Sequence, residues 1–285
     1  MTKPKSKEVV SVIVKDALQA YEGMDKLIGR PIRLNKRRLE VKRGKNYAEL
    51  LFCGDWHLGY PTCLFDDLKE NLDYCLSHRI YLLLMGDLME AGTRDSVGDS
   101  VFKQILDPQS QIERIIELLL PLSEAGLVLG LYRGNHENRI LKTTGMDPAK
   151  IICRILRIPY LGGAMWNLFY VGNQSYKIYA LHGKSGARML WTKVKAVSDI
   201  AQNVAPNAHI VAMGHVHENV VVERDFMDVS AKRKKVVQPK RFICLTGHYL
   251  GYDDSYAQEG GMGLGRKGSP KFKLFADKFD IHASQ

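Results

Sequence analysis

Eight side chains that can donate to a metal ion stand in short motifs along the chain. They are Asp55 and His57 in "GDWHLGY", Asp87 in "MGDLME", Asn135 and His136 in "RGNHENR", His182 in "ALHGKS", and His215 and His217 in "MGHVHEN". Imidazoles, carboxylates and one amide oxygen form a mixed N/O set suited to Mn, Fe, Zn or related divalent ions, and no thiolate competes. Eight donors are too many for one ion and enough for two ions about 3.5–4 Å apart that share a carboxylate. Each motif alone also has a bland reading. Asp55 and His57 fit a polar strand edge, His215 and His217 an exposed alternating pair, and Asn135 a turn residue. Their placement argues otherwise, because each follows an apolar run that reads as a strand, and ligands of α/β sheets collect beyond the carboxyl ends of strands. Asp55 and His57 point the same way if the strand is still extended there. Glycines before Asp87, Asn135 and His215 allow tight turns close to the ions.

The elements that must carry these donors follow a regular rhythm from residue 47. "YAELLFC", "IYLLLMG" and "LVLGLYRG" read as buried strands, separated by helical stretches at "CLFDDLKENLDYCLSHR" and "PQSQIERIIELLLPLSEAG". That alternation implies a sheet covered by helices. Later, "NLFYVGNQSYKIYALHG" reads as two strands joined at Gly-Asn, "ARMLWTKVKAVSDIAQNVA" as a helix, and "HIVAMGHVHENVVVE" and "KRFICLTGHYL" as further strands. The expected architecture is α/β, with two packed sheets flanked by helices. "GGMGLGRKGS", residues 260–269, is a Gly-rich loop, and the remaining tail is expected to form a loop and an edge strand.

The chain has 285 residues, 45% hydrophobic and 25% charged, which is ordinary globular composition. No run of about 18 apolar residues reads as a membrane span. The N-terminus lacks the apolar region of a secretory signal. Five scattered cysteines (Cys53, Cys63, Cys75, Cys153, Cys244) with no C-x-x-C pair suggest reduced core residues and a cytoplasmic setting. The net charge of +10 is uneven, since residues 1–46 hold 13 Lys/Arg against 5 Asp/Glu. A second basic cluster spans Lys232–Lys235 with Lys240 and Arg241. Residues 1–46, with a short amphipathic helix over 7–22 and a basic strand or loop after it, are expected as an N-terminal appendage to a domain spanning 47–285. Its charge suits a polyanion, with nucleic acid as partner, and suits plain solubility equally well.

The ordered set Asp-x-His, Gly-Asp-x-x-Glu, Gly-Asn-His-Glu, His-Gly and Gly-His-x-His resembles the calcineurin-like metallophosphoesterase superfamily over roughly residues 47–250. The resemblance implies a four-layer α/β/β/α sandwich and a di-metal hydrolase of phosphate esters. It implies one metal held by Asp55, His57, Asp87 and His217 and another by Asp87, Asn135, His182 and His215, with Mn expected and Fe, Zn, Ni or Mg as alternatives. Asp87, as the bridge, and His136 are the implied catalytic residues, His136 as a general acid or a stabiliser near the leaving group. The implied reaction is in-line attack of a metal-bridging hydroxide on phosphorus. One departure is Glu90, where the family pattern usually has Asp.

Substrate class rests on slighter signals. "DWHLG" resembles the first motif of the Mre11/SbcD-type nuclease branch, and the basic segments suit a phosphodiester backbone. Arg94, Lys184 and Arg188 follow ligand turns and are expected to clamp phosphate. Trp56 and Tyr60 offer stacking surfaces for a base. His248 lies after a later strand and could reach the cleft. A nuclease is the favoured expectation. The alternatives are a small-molecule phosphodiesterase or phosphomonoesterase acting on nucleotides or cyclic nucleotides, and a nucleic-acid-binding protein with a vestigial site.

Overall fold

The computed structural model describes residues 34–94, 96, 100–230, 234–261 and 263–285. The helix expected over 7–22 lies outside the described residues, as do Lys232 and Arg233. The chain divides at Leu34/Asn35, and the unit Asn35–Gln285 is described here.

Four buried segments build the first sheet: β2 (Tyr47–Cys53), β3 (Tyr81–Leu84), β4 (Val128–Tyr132) and β5 (Tyr160–Gly162). They pair in parallel in that order. The helices α1 (Phe65–Ser77), α3 (Pro108–Glu124) and α5 (Pro148–Leu156) bury Leu68, Leu72, Ile115, Leu119 and Ile152 in the same core. A short α2 (Ser100–Lys103) precedes α3. Asp107 caps α3 by accepting from the Gln109 and Ser110 amides, with Pro108 at the first helical position, where its missing N–H costs nothing. The same Asp-Pro start opens α5. The sequence reading places no helix at α5 or at α4 (Asn135–Thr144), each only two to three turns long.

The tail does more than form an edge. β13 (Lys271–Phe275) pairs antiparallel with β2, and β14 (Ile281–Ser284) follows as the outer strand. Pairing with β2 makes the C-terminal segment part of the sheet that carries the first donor turn.

The second sheet runs β1-β6-β7-β8-β12-β9. Its members are β1 (Leu34–Leu39), β6 (Ala164–Val171), β7 (Gln174–Leu181), β8 (Ile210–Met213), β9 (Asn219–Asp225) and β12 (Lys240–Thr246). Period-two alternation is visible in its central strands. Ile210 and Ala212 on β8, and Phe242 and Cys244 on β12, face the core shared with the first sheet. Val211, Met213, Ile243 and Leu245 face a second cluster with Val197 and Ala201 of α6 (Leu190–Asn203). Phe242 meets Phe272 of β13 edge-on at 5.7 Å, which ties the two sheets together. Burying such a ring contributes about 1.5–3 kcal/mol. Helix, sheet, sheet and helix therefore make a four-layer sandwich. The small hairpin β10 (Asp228–Ser230) and β11 (Lys235–Val237) stands apart from both sheets.

The basic stretch "LNKRRL" is β1. Its Asn35 is buried and donates to Leu129 O in the other sheet and to Asn167 Oδ1 on the neighbouring β6, and residues 35–46 belong to the same unit as the donors. In the second basic cluster, Arg241 is engaged by the Ala201 and Ala208 carbonyls and the Phe226 ring, and Lys240 pairs with Glu223. All five cysteines are unpaired. Among the described residues, no helix is long and apolar enough to cross a membrane.

Candidate metal centre and active site

Main-chain pairing continues past the strand ends and assembles the site. Asp55 N donates to Gly86 O at 2.9 Å, and Trp56 N and His57 N both donate to Asp87 O, at 2.8 and 3.1 Å. The turn after β2 is thereby laced to the turn after β3. Extended-strand alternation does not aim Asp55 and His57, contrary to the reading from spacing. β2 has ended at Cys53, and both residues adopt left-handed backbone, with φ of 51° and 50°. Asp87, His215 and His217 do the same, at 48°, 70° and 52°. Asp and His enter this region more readily than β-branched residues. Each such residue still costs on the order of 1–3 kcal/mol, which the surrounding pairing must offset.

Glycine is required where the turns cross. A Cβ on Gly134 would lie 2.0 Å from Asp87 Oδ1 and 2.3 Å from Asp87 N. Gly134→Ala must therefore push Asp87 away. We expect it to weaken metal binding by about 10–100-fold, the scale of disturbing the support of a ligand. Titration with Mn and a thermal melt of the metal-free protein would check this; wild-type affinity would show that the turn can yield.

Three groups of donors lie within 4.8 Å of one another: Asp55, His57 and His217; Asp87, His182 and His215; and His57, Asp87 and His136. His57 Nε2 and His217 Nε2 are 3.0 Å apart, and His217 Nε2 is 3.4 Å from Asp55 Oδ1. His182 Nε2 lies 3.2 Å from Asp87 Oδ2 and 2.9 Å from Asn135 Oδ1. Two imidazole nitrogens about 3 Å apart have the spacing of neighbouring ligands each about 2.1 Å from one ion. The opposite ring nitrogens are held in place: His57 Nδ1 by Glu90 Oε2 at 3.0 Å, and His182 Nδ1 by Met85 O at 2.8 Å. That fixes each Nε2 toward the cluster, the arrangement that metal-ligating histidines use. Glu90, the departure from the family pattern, therefore still reaches and orients His57. Asp55 is braced by the His215 amide at 3.1 Å to both its oxygens.

The electrostatics also fit a cation. Burial works against ionising Asp87, but the His182 and His136 rings and the hydrogen bond from His182 hold it well below the usual carboxylate range. Asp55 is lowered too, against its burial, by His217 and His182. His182 is pushed up to about 10, because the charge of Asp87 outweighs the cost of burial. Two buried carboxylates thus draw protons onto neighbouring imidazoles, and divalent ions would displace those protons.

His136 is placed differently. Its Nδ1 donates to Glu90 O at 2.6 Å and its Nε2 accepts from Arg139 Nη2 at 2.9 Å. Burial pushes its pKa down to about 4, so the ring is neutral. Arg139, which the motif reading passes over, stands three residues on along α4, on the same helix face; its Nη1 also donates to Glu90 O. Glu137 is buried and accepts from the amides of Asp87, Leu88 and Gly134 at 3.0, 2.8 and 2.9 Å. Burial first, then the charge of Asp87, raises its pKa to about 7.

His57, Asp87, Asn135, His136, Arg139, His215 and His217 floor a cleft of 570 Å³. Tyr60 and Arg188 line it, as do His248, Tyr252 and Leu264. Trp56 does not: it is fully buried and donates to Cys53 Sγ, so it packs in the core instead of offering a stacking face. Arg94 and Lys184 are exposed and outside the cleft lining.

A two-sheet sandwich with clustered Asp, Asn and His at its strand ends is the frame of a metal-dependent phosphoesterase. The family model for calcineurin-like phosphoesterases matches residues 48–248, and the chain belongs to that family. No curated protein matches the chain. Among solved structures, it is similar to a conserved protein of Streptococcus pneumoniae described as a predicted phosphoesterase, at 11% identity, TM-score 0.37, over 84% of this chain and 90% of that one. A metallophosphoesterase from Sphaerobacter thermophilus is similar at 12% identity, TM-score 0.38, over 83% and 88%. A hypothetical protein from Thermus thermophilus is similar at 14% identity, TM-score 0.35, over 83% and 98%.

Proposed function

We propose that this phosphoesterase hydrolyses phosphodiester bonds, in nucleic acid first of all, with two divalent cations bound. Asp55, His57, Asp87 and His217 would hold one cation, and Asp87, Asn135, His182 and His215 the other. The observation that carries this reading is a donor cluster on the floor of a cleft far larger than one phosphate, with Arg139 and Arg188 in its walls. Bound divalent cations supply Lewis acidity, neutralising charge on phosphoryl oxygens and lowering the pKa of water.

The chain's own residues do the rest. Asp87 and Asp55 bring the charge that retains the cations, and Glu90 keeps His57 pointed at them. Arg139 offers a fork of donors to phosphate oxygens. His136, neutral and accepting from Arg139, acts as a stabiliser rather than as a proton donor, holding that guanidinium where charge develops on the leaving oxygen. Arg188 attracts anionic substrate at the mouth. His136→Ala is expected to lower kcat by about 10²-fold or more while bound metal stays near wild type. A wild-type rate on an unactivated diester would remove His136 from the mechanism.

A second reading, a phosphodiesterase of small nucleotides or cyclic nucleotides, is favoured by the wall of Tyr252, Leu264 and Gly265 on one side of the cleft. A hydrolysis panel on Mn-loaded protein separates the two, with Asp87→Ala as the blank. It would compare bis(p-nitrophenyl) phosphate, p-nitrophenyl phosphate, a 2′,3′-cyclic nucleotide, and single- and double-stranded DNA. Cleavage of the diester and DNA supports the first reading, cleavage of small diesters alone supports the second, and activity confined to the monoester overturns both.

A further inference from the structure

We propose that His248 is a substrate-binding donor for the esterified group that stays on phosphorus when the leaving group departs, and that this group is a nucleoside. The inference rests on the phosphodiester reading above.

Its tautomer follows from geometry. Leu250 N donates to His248 Nδ1 at 3.2 Å, so Nδ1 carries no proton and the neutral ring keeps its proton on Nε2. Nε2 is buried and faces the Gly265 backbone, but at an angle too poor for a well-directed hydrogen bond. His248 is only 6% exposed, yet it lines the cleft. A buried N–H whose partner is poorly aligned keeps much of its bonding capacity unmet, and an acceptor arriving in the cleft supplies it.

Position selects the acceptor. The rings form a row along the cleft floor: His136 against His57 at 4.4 Å, His57 against His217 at 4.9 Å, and His217 stacked on His248 at 5.1 Å. His248 thus ends the row opposite His136. With the leaving oxygen at the His136–Arg139 end, the far end faces what remains attached to phosphorus. Leu250, Tyr252 and Leu264 wall that end, which suits the flat, largely apolar body of a base. The Gly-rich loop closes it because a Cβ on Gly265 would lie 1.9 Å from His217 O and 3.1 Å from His248 Nε2. A monoester has no second esterified group, so the donor serves diesters selectively.

The test compares Mn-loaded wild type, His248→Leu and His248→Gln on thymidine 5′-(p-nitrophenyl phosphate) and on p-nitrophenyl phosphate, with bound metal measured for each. Gln places an amide N–H near the position of Nε2, whereas Leu has no donor. We expect Leu to raise KM for the nucleoside diester by about tenfold, as loss of one hydrogen bond implies, with a clearly smaller effect on the monoester. Gln is expected to recover most of the wild-type KM. Equal losses on both substrates, equal losses in both variants, or a Leu variant with wild-type KM would each overturn the role. Wild type that hydrolyses no diester would overturn the phosphodiester reading, and this inference with it.

Discussion

Asp87→Asn is expected to reduce hydrolysis by more than about 10³-fold and to strip bound metal from the protein, with the fold retained. The size follows from the residue's position. Asp87 belongs both to the group with His182 and His215 and to the group with His57 and His136, so one carboxylate serves both halves of the cluster. Removing a single preorganised charged or polar group from an active site already costs about 10²–10³, and here the same change also lowers the charge that retains the cations. Asn keeps the volume, and its side-chain oxygen can still accept from the His136 amide, as Asp87 Oδ1 does at 2.8 Å. Elemental analysis of bound metal, beside a diester assay, separates the two losses. Full metal content with activity lost would mean that Asp87 acts on the substrate and not by holding the cations.

Glu137→Ala is expected to be the most destabilising single change near the site. Three backbone amides, those of Asp87, Leu88 and Gly134, donate to this one buried carboxylate. Each buried donor left without a partner costs about 1–3 kcal/mol, although the three will not add fully. A loss of roughly 3–5 kcal/mol is the expected outcome by denaturant unfolding of the metal-free protein. Glu137→Gln should fall between, since its amide oxygen accepts while its NH₂ opposes one of the three donors. Activity should fall with stability, because the same bonds lock the Asp87 turn to the start of α4. A loss under about 1 kcal/mol would show that water replaces the carboxylate, and that the turn does not depend on it.

Much of the site is legible in order along the chain. Apolar runs marked β2, β3, β4 and β8, alternation marked β7, and the donors stand just past their ends. Strand ends can be read locally because burial on both faces writes itself as a continuous apolar run. Parallel pairing then carries the ends of β2, β3 and β4 to one edge of their sheet. The choice of N/O donors fixed the class of ion, since ligand softness belongs to residue types. β8 and the centre of β12 are likewise continuous apolar runs buried on both faces, and only folding sorts their residues between the two core clusters.

Other features exist only in three dimensions. The left-handed turns at Asp55, His57, Asp87, His215 and His217 are held by cross-turn amides such as His57 N to Asp87 O; Asp and His tolerate that backbone, but the residue types alone do not select it. Trp56 sits between two donors in sequence but is packed in the core, where it donates to Cys53 Sγ and offers no stacking face. Arg139 gains a role because α4 carries it back over Glu90, a partner 49 positions earlier in the chain. The tail becomes part of a sheet because β13 finds β2, and nothing near residue 271 encodes that neighbour. The sequence by itself determined which chemistry the chain can hold and near which strand ends. Tertiary structure decided which way each side chain points and what braces it, because those depend on contacts between residues far apart in the chain.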